Sequence, residues 1–215
     1  MITRLIASIL IITGFSIASQ ATASKKKPTP DDDFKKAVVY FTQGNTAAAV
    51  PLFSKVQKAV PTRPDVYYYL GLCSAKTPNY DAAIANFTKA ISLKDAYTAA
   101  FMERGNCMLA VQRYPEAAAD FDKVVTLDPA NIQAWYNRGQ AYGTLKNDQE
   151  AVNSYLKVLA ADQMNGYAHY YIGLSYYNLK QKDKTNEHFS IFVKLKPDAP
   201  EAEAIKRLLQ QLSSW

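Results

Sequence analysis

Histidine, cysteine and glycine are all scarce. With two His, two Cys and eight Gly in 215 residues, the chain has little from which to build a metal centre, a disulfide framework or a phosphate-cradling loop. The histidines, His169 and His188, do not stand at a ligand spacing such as i, i+4, and no glycine-rich phosphate loop or Gly-x-Ser-x-Gly elbow occurs. Acidic residues are plentiful, but most fall in turns and outer helical faces, where solvated charge is the default. No catalytic pair is selected, so the chain is expected not to be an enzyme and to need no cofactor and no metal. Charge of one sign is also modest. The formal balance is +6, or +5 without Arg4, which does not imply a nucleic-acid partner. Long apolar runs are missing as well. The stretch Leu5 to Ala18 is 14 residues, whereas a spanning helix needs roughly 20.

That short apolar stretch follows Arg4 and precedes Ala21-Thr22-Ala23. A basic start, an apolar core and Ala-x-Ala read as a secretory signal peptide over residues 1–23, with Ser24 as the mature start. The rival is an uncleaved anchor. An exported protein, periplasmic or secreted, is expected, with no stable membrane span after cleavage. Residues 24–33, Lys-rich, then Pro-punctuated, then acidic, read as a flexible charged tether.

What the chain does have is a period. Gly71, Gly105, Gly139 and Gly173 stand 34 residues apart, with Ala37 one period earlier. Four residues before the glycines are Tyr67, Phe101, Trp135 and His169; three after them are Ser74, Met108, Tyr142 and Tyr176. Ala49, Ala83, Ala117, Ala151 and Thr185 keep the same phase, and so do Phe53, Phe87, Phe121, Tyr155 and Phe189. Proline closes three units, at Pro61, Pro129 and Pro197. Each column has a physical reason. The aromatic, the glycine and the next aromatic share one helical face, and Ala with the later aromatic share a face of the next helix. The small residue lets two helices approach closely, and that packing must offset the cost of about 1 kcal/mol for glycine in a helix.

These columns resemble the tetratricopeptide repeat (TPR). Trp135, Gly139, Tyr142, Ala151 and Tyr155 meet its signature most fully. Tyr67, Leu70, Gly71, Tyr80, Ala83, Phe87 and Ala90 form a second copy, and Phe101, Gly105, Tyr114, Ala117, Phe121 and Pro129 a third. The resemblance implies an all-α, right-handed superhelical solenoid of five helix-turn-helix units, at 30–63, 64–97, 98–131, 132–165 and 166–199. Beyond Pro200, Ala202, Ile205, Leu208, Leu209 and Leu212 have helical spacing. Residues 200–215 should therefore be a capping helix over the last unit's open core. The first unit is divergent: Asp33 stands in the aromatic column, glycine is missing, and Pro51 lies inside the second helix. The fifth has Thr185-Asn186 where a small apolar pair belongs.

Cys73 and Cys107 share one column with Val39, Ala141 and Ser175. Equivalent positions on successive helices lie roughly 10 Å apart, whereas a disulfide needs Cα atoms within about 7 Å. Two buried free thiols are expected. His169 replaces a packing aromatic and belongs in or near the core. His188, in a charged helix, is expected to be exposed.

In a TPR solenoid the first helices line a concave groove, which in this family holds an extended peptide or a partner's helix. Helical geometry assigns to it the first-helix residues outside the packing columns. These are Phe34, Val38, Phe41 and Thr42 in the first unit; Tyr68, Leu72 and Lys76 in the second; Met102, Asn106 and Leu109 in the third; Tyr136, Gln140 and Thr144 in the fourth; and Tyr167, Tyr170, Leu174, Tyr177 and Asn178 in the fifth. The set is aromatic and amide-rich with little charge, suited to recognising a polypeptide; the alternative is that the tyrosines only pack. The carboxylate clamp of chaperone-binding relatives is not expected. Asn106 and Asn137 occupy two of its positions, but Met102, Tyr167 and Tyr171 stand where its basic residues belong. The function expected is a protein- or peptide-binding adaptor of the envelope or secretion apparatus, with cell-wall glycan binding and self-assembly as alternatives.

Overall fold

The computed structural model describes residues 27–213, so the signal peptide read at residues 1–23 lies outside the described residues, as does the start of the tether. Among the described residues there are eleven helices and no strand. Ten form five antiparallel hairpins: α1 (Pro30–Thr42) with α2 (Thr46–Ala59), α3 (Pro64–Lys76) with α4 (Tyr80–Leu93), and α5 (Thr98–Ala110) with α6 (Tyr114–Leu127). The next two are α7 (Ile132–Thr144) with α8 (Asp148–Ala161) and α9 (Gly166–Asn178) with α10 (Lys182–Leu195). Helix α11 (Ala202–Ser213) packs on α10. Each hairpin also packs its second helix on the first helix of the next, so the chain is a solenoid of stacked pairs.

Asparagine punctuates the helices. Asn45, Asn79, Asn131 and Asn165 each accept a hydrogen bond from the backbone N–H three residues on, satisfying a donor that the helix start leaves open. At the turn inside four of the five hairpins the chain enters the left-handed region: Gly44 has φ +78°, while Gln112, Lys146 and Lys180 reach +58° to +61°.

The glycine column explains the hairpin's width. A Cβ placed on Gly71, Gly105, Gly139 or Gly173 would come within 2.5–2.8 Å of the ring sixteen residues later, which is Phe87, Phe121, Tyr155 and Phe189 in turn. These rings, with Phe53, are at most 1% exposed, and the alanine column from Ala49 to Ala151 is fully buried. At about 25 cal/mol per Å² of apolar surface, each ring is a major stabilising element. The polar tips of the preceding aromatic column are satisfied locally. Tyr67 Oη donates to the Pro61 carbonyl at 2.9 Å, and Trp135 Nε1 to the Pro129 carbonyl at 2.9 Å.

The divergent ends are accommodated by specific contacts. Asp33 is buried and ion-paired with Lys55 at 2.6 Å. Pro51 lies inside α2 on its exposed side, and the helix runs through it. Thr185 is 1% exposed and its hydroxyl donates to the Gln181 carbonyl, so the alanine position tolerates it without an unpaired polar group.

Helix α11 is in phase with the repeat. Ala202 continues at the 34-residue period the series Ala100, Ala134 and Ala168, and all four are fully buried. It takes the place of a sixth first helix. Accordingly, Arg207 occupies the glycine column and Gln210 the aromatic column, both exposed. Polar residues replace the face that a following helix would cover.

The glycine contact is directly testable. Gly139→Ala should cost about 1–3 kcal/mol, because its Cβ meets a fully buried ring. Gly143→Ala, one turn later, would meet only the Ala151 methyl at 3.8 Å and should be neutral or stabilising. Equal melting temperatures for the two variants in thermal circular dichroism would contradict this account.

Candidate functional site

The odd-numbered helices α1, α3, α5, α7 and α9 each touch the next in the series, whereas the even-numbered ones do not touch one another. Helices that crowd together on one side and splay on the other curve the stack, so the first helices line the inner face.

The structure places the proposed groove residues on this inner series with unequal access. Thr42, Lys76, Gln140, Thr144, Tyr177 and Asn178 are exposed; the other twelve are half-buried. Phe34 packs edge-on to Phe53 and Tyr69, with the Arg63 guanidinium 3.9 Å above its ring. Lys76 lies 4.1 Å over the Phe41 ring. Tyr68 contacts Tyr69, Phe87 and Tyr97, and Leu72 and Met102 pack on the same cluster. Tyr136 is edge-on to Tyr155, and Tyr170 meets Tyr171, Phe189 and Phe192. Tyr167 contacts Tyr170 and Phe192. These rings both pack and face outward in part. Burial raises the phenol pKa of Tyr136 to about 12 and raises those of Tyr68 and Tyr170 as well. The groove therefore stays uncharged at its tyrosines across the neutral range.

Two features of the inner face escaped sequence reasoning. Tyr69 and Tyr171, each two residues before a glycine, stack on Phe53 and Tyr155, the rings of the preceding hairpin. Both pairs have centroids 5.2 Å apart and planes 13° apart. Their matching column positions were the available signal. The second is an amide chain across units: Asn137 Nδ2 donates to Asn106 Oδ1 at 2.8 Å, Gln133 Nε2 to Asn137 Oδ1 at 2.8 Å, and Asn106 Nδ2 to Glu103 at 3.4 Å. Asn106 is thus held in a network with its neighbours.

Charge is satisfied between helices. Arg104 grips Asp120 through Nε and Nη2 at 2.8 and 2.7 Å. Arg138 reaches Asp122, Glu150 and Ser154 at 2.6–2.7 Å. Cys73 and Cys107 are buried free thiols. Burial raises both thiol pKa values, that of Cys107 to about 11, which suppresses the reactive thiolate.

His188 is not exposed, contrary to the expectation from its charged surroundings. It is buried at 9%, its Nδ1 3.0 Å from Nδ1 of His169. The charged neighbours lie along its own helix, but the position faces α9 across the hairpin. His169 Nε2 is 3.2 Å from the Gln163 carbonyl, which can only accept, so that nitrogen carries the proton. His169 Nδ1 is then the acceptor for His188 Nδ1–H. Among the described residues no group of three metal-ligating side chains forms.

Two pockets open on the inner face one period apart. One, of about 570 Å³, lies between the fourth and fifth hairpins; Gln140, Thr144, Lys146, Asp148, Leu174 and Asn178 line it, with Asn178 Nδ2 donating to Asp148 at 2.9 Å. The other, of about 840 Å³, lies between the fifth hairpin and α11.

Models of the tetratricopeptide repeat match residues 34–100, 132–163 and 167–199, and a TPR-repeat model matches 109–146. The chain is built of tetratricopeptide repeats. Solved TPR proteins share the fold. YrrB, described as a TPR protein with an unusual peptide-binding site, is 18% identical, with 83% of this chain and 92% of that one covered at a TM-score of 0.79. MamA AMB-1 is 23% identical, with 82% and 96% covered at 0.73. MamA from Desulfovibrio magneticus RS-1 is 19% identical, with 80% and 97% covered at 0.69. At these identities the likeness is one of fold. No curated protein matches the chain significantly. Among the described residues no helix of this TPR chain is long and apolar enough to cross a membrane.

The histidine pair predicts a pH dependence. Burial, then the neighbouring His169, lower the His188 pKa below its ordinary value, with Lys184 also lowering it and Glu187 opposing. The unfolded chain takes up a proton near pH 6.5, above the folded value. The contribution of His188 is therefore fully present above that pH and lost as pH falls through the lowered folded value. Urea stability should drop between about pH 7.5 and about pH 5.5, and His188→Asn should remove part of the drop. Identical pH profiles for the two proteins would contradict the assignment.

Proposed function

We propose that this TPR chain is an exported, non-enzymatic adaptor that holds a peptide segment or helix of a partner protein on its inner face. The observation that carries this reading is the inner face itself: half-buried aromatic rings and bonded amides, opening into a pocket between the fourth and fifth hairpins. Tyr rings offer apolar area with a polar tip, and side-chain amides such as Gln140 can bond the backbone of an extended chain. A neutral groove binds with little salt dependence. The fold neighbour YrrB, described as having a peptide-binding site, supports the same use of the fold.

The test uses Gln140→Arg with Thr144→Arg. Both side chains are exposed and line that pocket, so the variant fills the groove without disturbing the core. Used as bait in an envelope extract, the wild-type chain should retain a protein that the variant loses. Equal retention by both would reject the groove, and retention on insoluble wall material instead would favour a glycan.

Export is tested separately. The full chain expressed in its native host should be recovered outside the cytoplasm with Ser24 as its first residue by N-terminal sequencing. Recovery with Met1 intact in the cytoplasmic fraction would reject the leader reading.

A further inference from the structure

The two inner-face pockets are the same site repeated, and they differ in charge. In the pocket between the fourth and fifth hairpins, Lys146 is accompanied by Asp148, and Asp148 is already bonded to Asn178. One period later, in the pocket beside α11, Lys180 takes the place of Lys146 and Lys182 that of Asp148. The position of Asn178 is taken by Leu212. The terminal pocket thus gains a cation, loses its acid and becomes more apolar. Tyr177, Leu208 and Leu212 line it, and Tyr177 is 46% exposed. Among the described residues no Asp or Glu lines it. Neither the Lys180 nor the Lys182 ammonium has a hydrogen-bond or ion-pair partner among the described residues.

We infer that this terminal pocket is a docking site for an acidic, apolar peptide segment of a partner protein. Apolar side chains of that segment would bury against Leu208, Leu212 and Tyr177, and carboxylates would meet Lys180 and Lys182. Charge complementarity selects the occupant. Two ammonium groups beside an apolar floor disfavour a basic or purely apolar chain, and a carboxylate gains charge-assisted hydrogen bonds that a neutral amide does not. The volume of about 840 Å³ accommodates a few side chains. The inference rests on reading the chain as a peptide binder, but it concerns a different pocket from the one that tests that reading. It also reverses the salt behaviour expected of the neutral groove: binding here weakens as ionic strength rises.

The test is to pan a displayed library of random dodecapeptides on the full chain and to measure the enriched peptides by fluorescence anisotropy. The expected consensus is Leu, Ile or Phe flanked by Asp or Glu. Its affinity should fall about tenfold or more in Lys180→Glu/Lys182→Glu and be unchanged in Gln140→Arg/Thr144→Arg. A consensus without acidic residues, acidic peptides bound equally by K180E/K182E, or no enrichment at all would each overturn the inference. Peptides lost only in the Gln140/Thr144 variant would uphold the groove and reject the terminal pocket. A concentration-dependent mass in sedimentation that disappears in K180E/K182E would assign the pocket to a second copy of the chain instead.

Discussion

The contact between a helical glycine and the ring sixteen residues later sets the width of four of the five hairpins. With Cβ atoms excluded at Gly71, Gly105, Gly139 and Gly173, each ring lies directly on helix backbone and is sealed from water. The cost of glycine in a helix is about 1 kcal/mol, which a fully buried aromatic more than offsets. Because the same contact recurs at one period, successive hairpins present equivalent surfaces, and a stack follows. The first hairpin has Ala37 instead, also fully buried, so a methyl is tolerated there at the end of the stack.

Curvature follows from the same geometry. From α1 to α9 the first helices touch one another and the second helices do not, so the inner face gathers the side chains left over by the packing columns. Those side chains are mostly rings and amides, because the cations inside the stack are spent on partners: Arg104 on Asp120, Arg138 on Asp122 and Glu150. Such half-buried pairs, each with several hydrogen bonds, fix the relation of neighbouring helices while leaving the groove itself weakly charged. The tyrosines serve two ends at once. Stacking on the preceding hairpin's ring, as Tyr69 and Tyr171 do, locks rings that also form part of the inner face.

The C-terminal end breaks the symmetry. Helix α11 continues the repeat phase through Ala202 and Ile205, both buried, and then abandons it by placing Arg207 and Gln210 where Gly and an aromatic would invite another helix. The result closes the core and leaves an inner-face pocket whose charge no longer matches that of its predecessor. In the last hairpin the buried His169–His188 pair replaces the Trp135–Ser154 combination of the hairpin before.

The architecture was legible in the sequence because its defining contacts are periodic. A column of Gly and a column of rings at constant offset can only be satisfied by repeated helix pairs, and the phase of Ala202, Ile205 and Leu208 announces the cap. The face of its helix that each residue occupies could be read too, since a helix distributes its faces by residue spacing alone. Legibility ended where a contact joins two helices outside the columns. The placement of His188 against His169, the amide chain from Gln133 through Asn137 to Asn106, and the stacking of Tyr69 and Tyr171 depend on which side chains meet across a hairpin. So does the difference between the two pockets, visible only once Lys180 and Lys182 are brought beside Leu208 and Leu212. Sequence spacing determines which face of a helix a residue occupies. Which neighbour it meets there, and with what charge and burial, is decided by the packing of one helix against another.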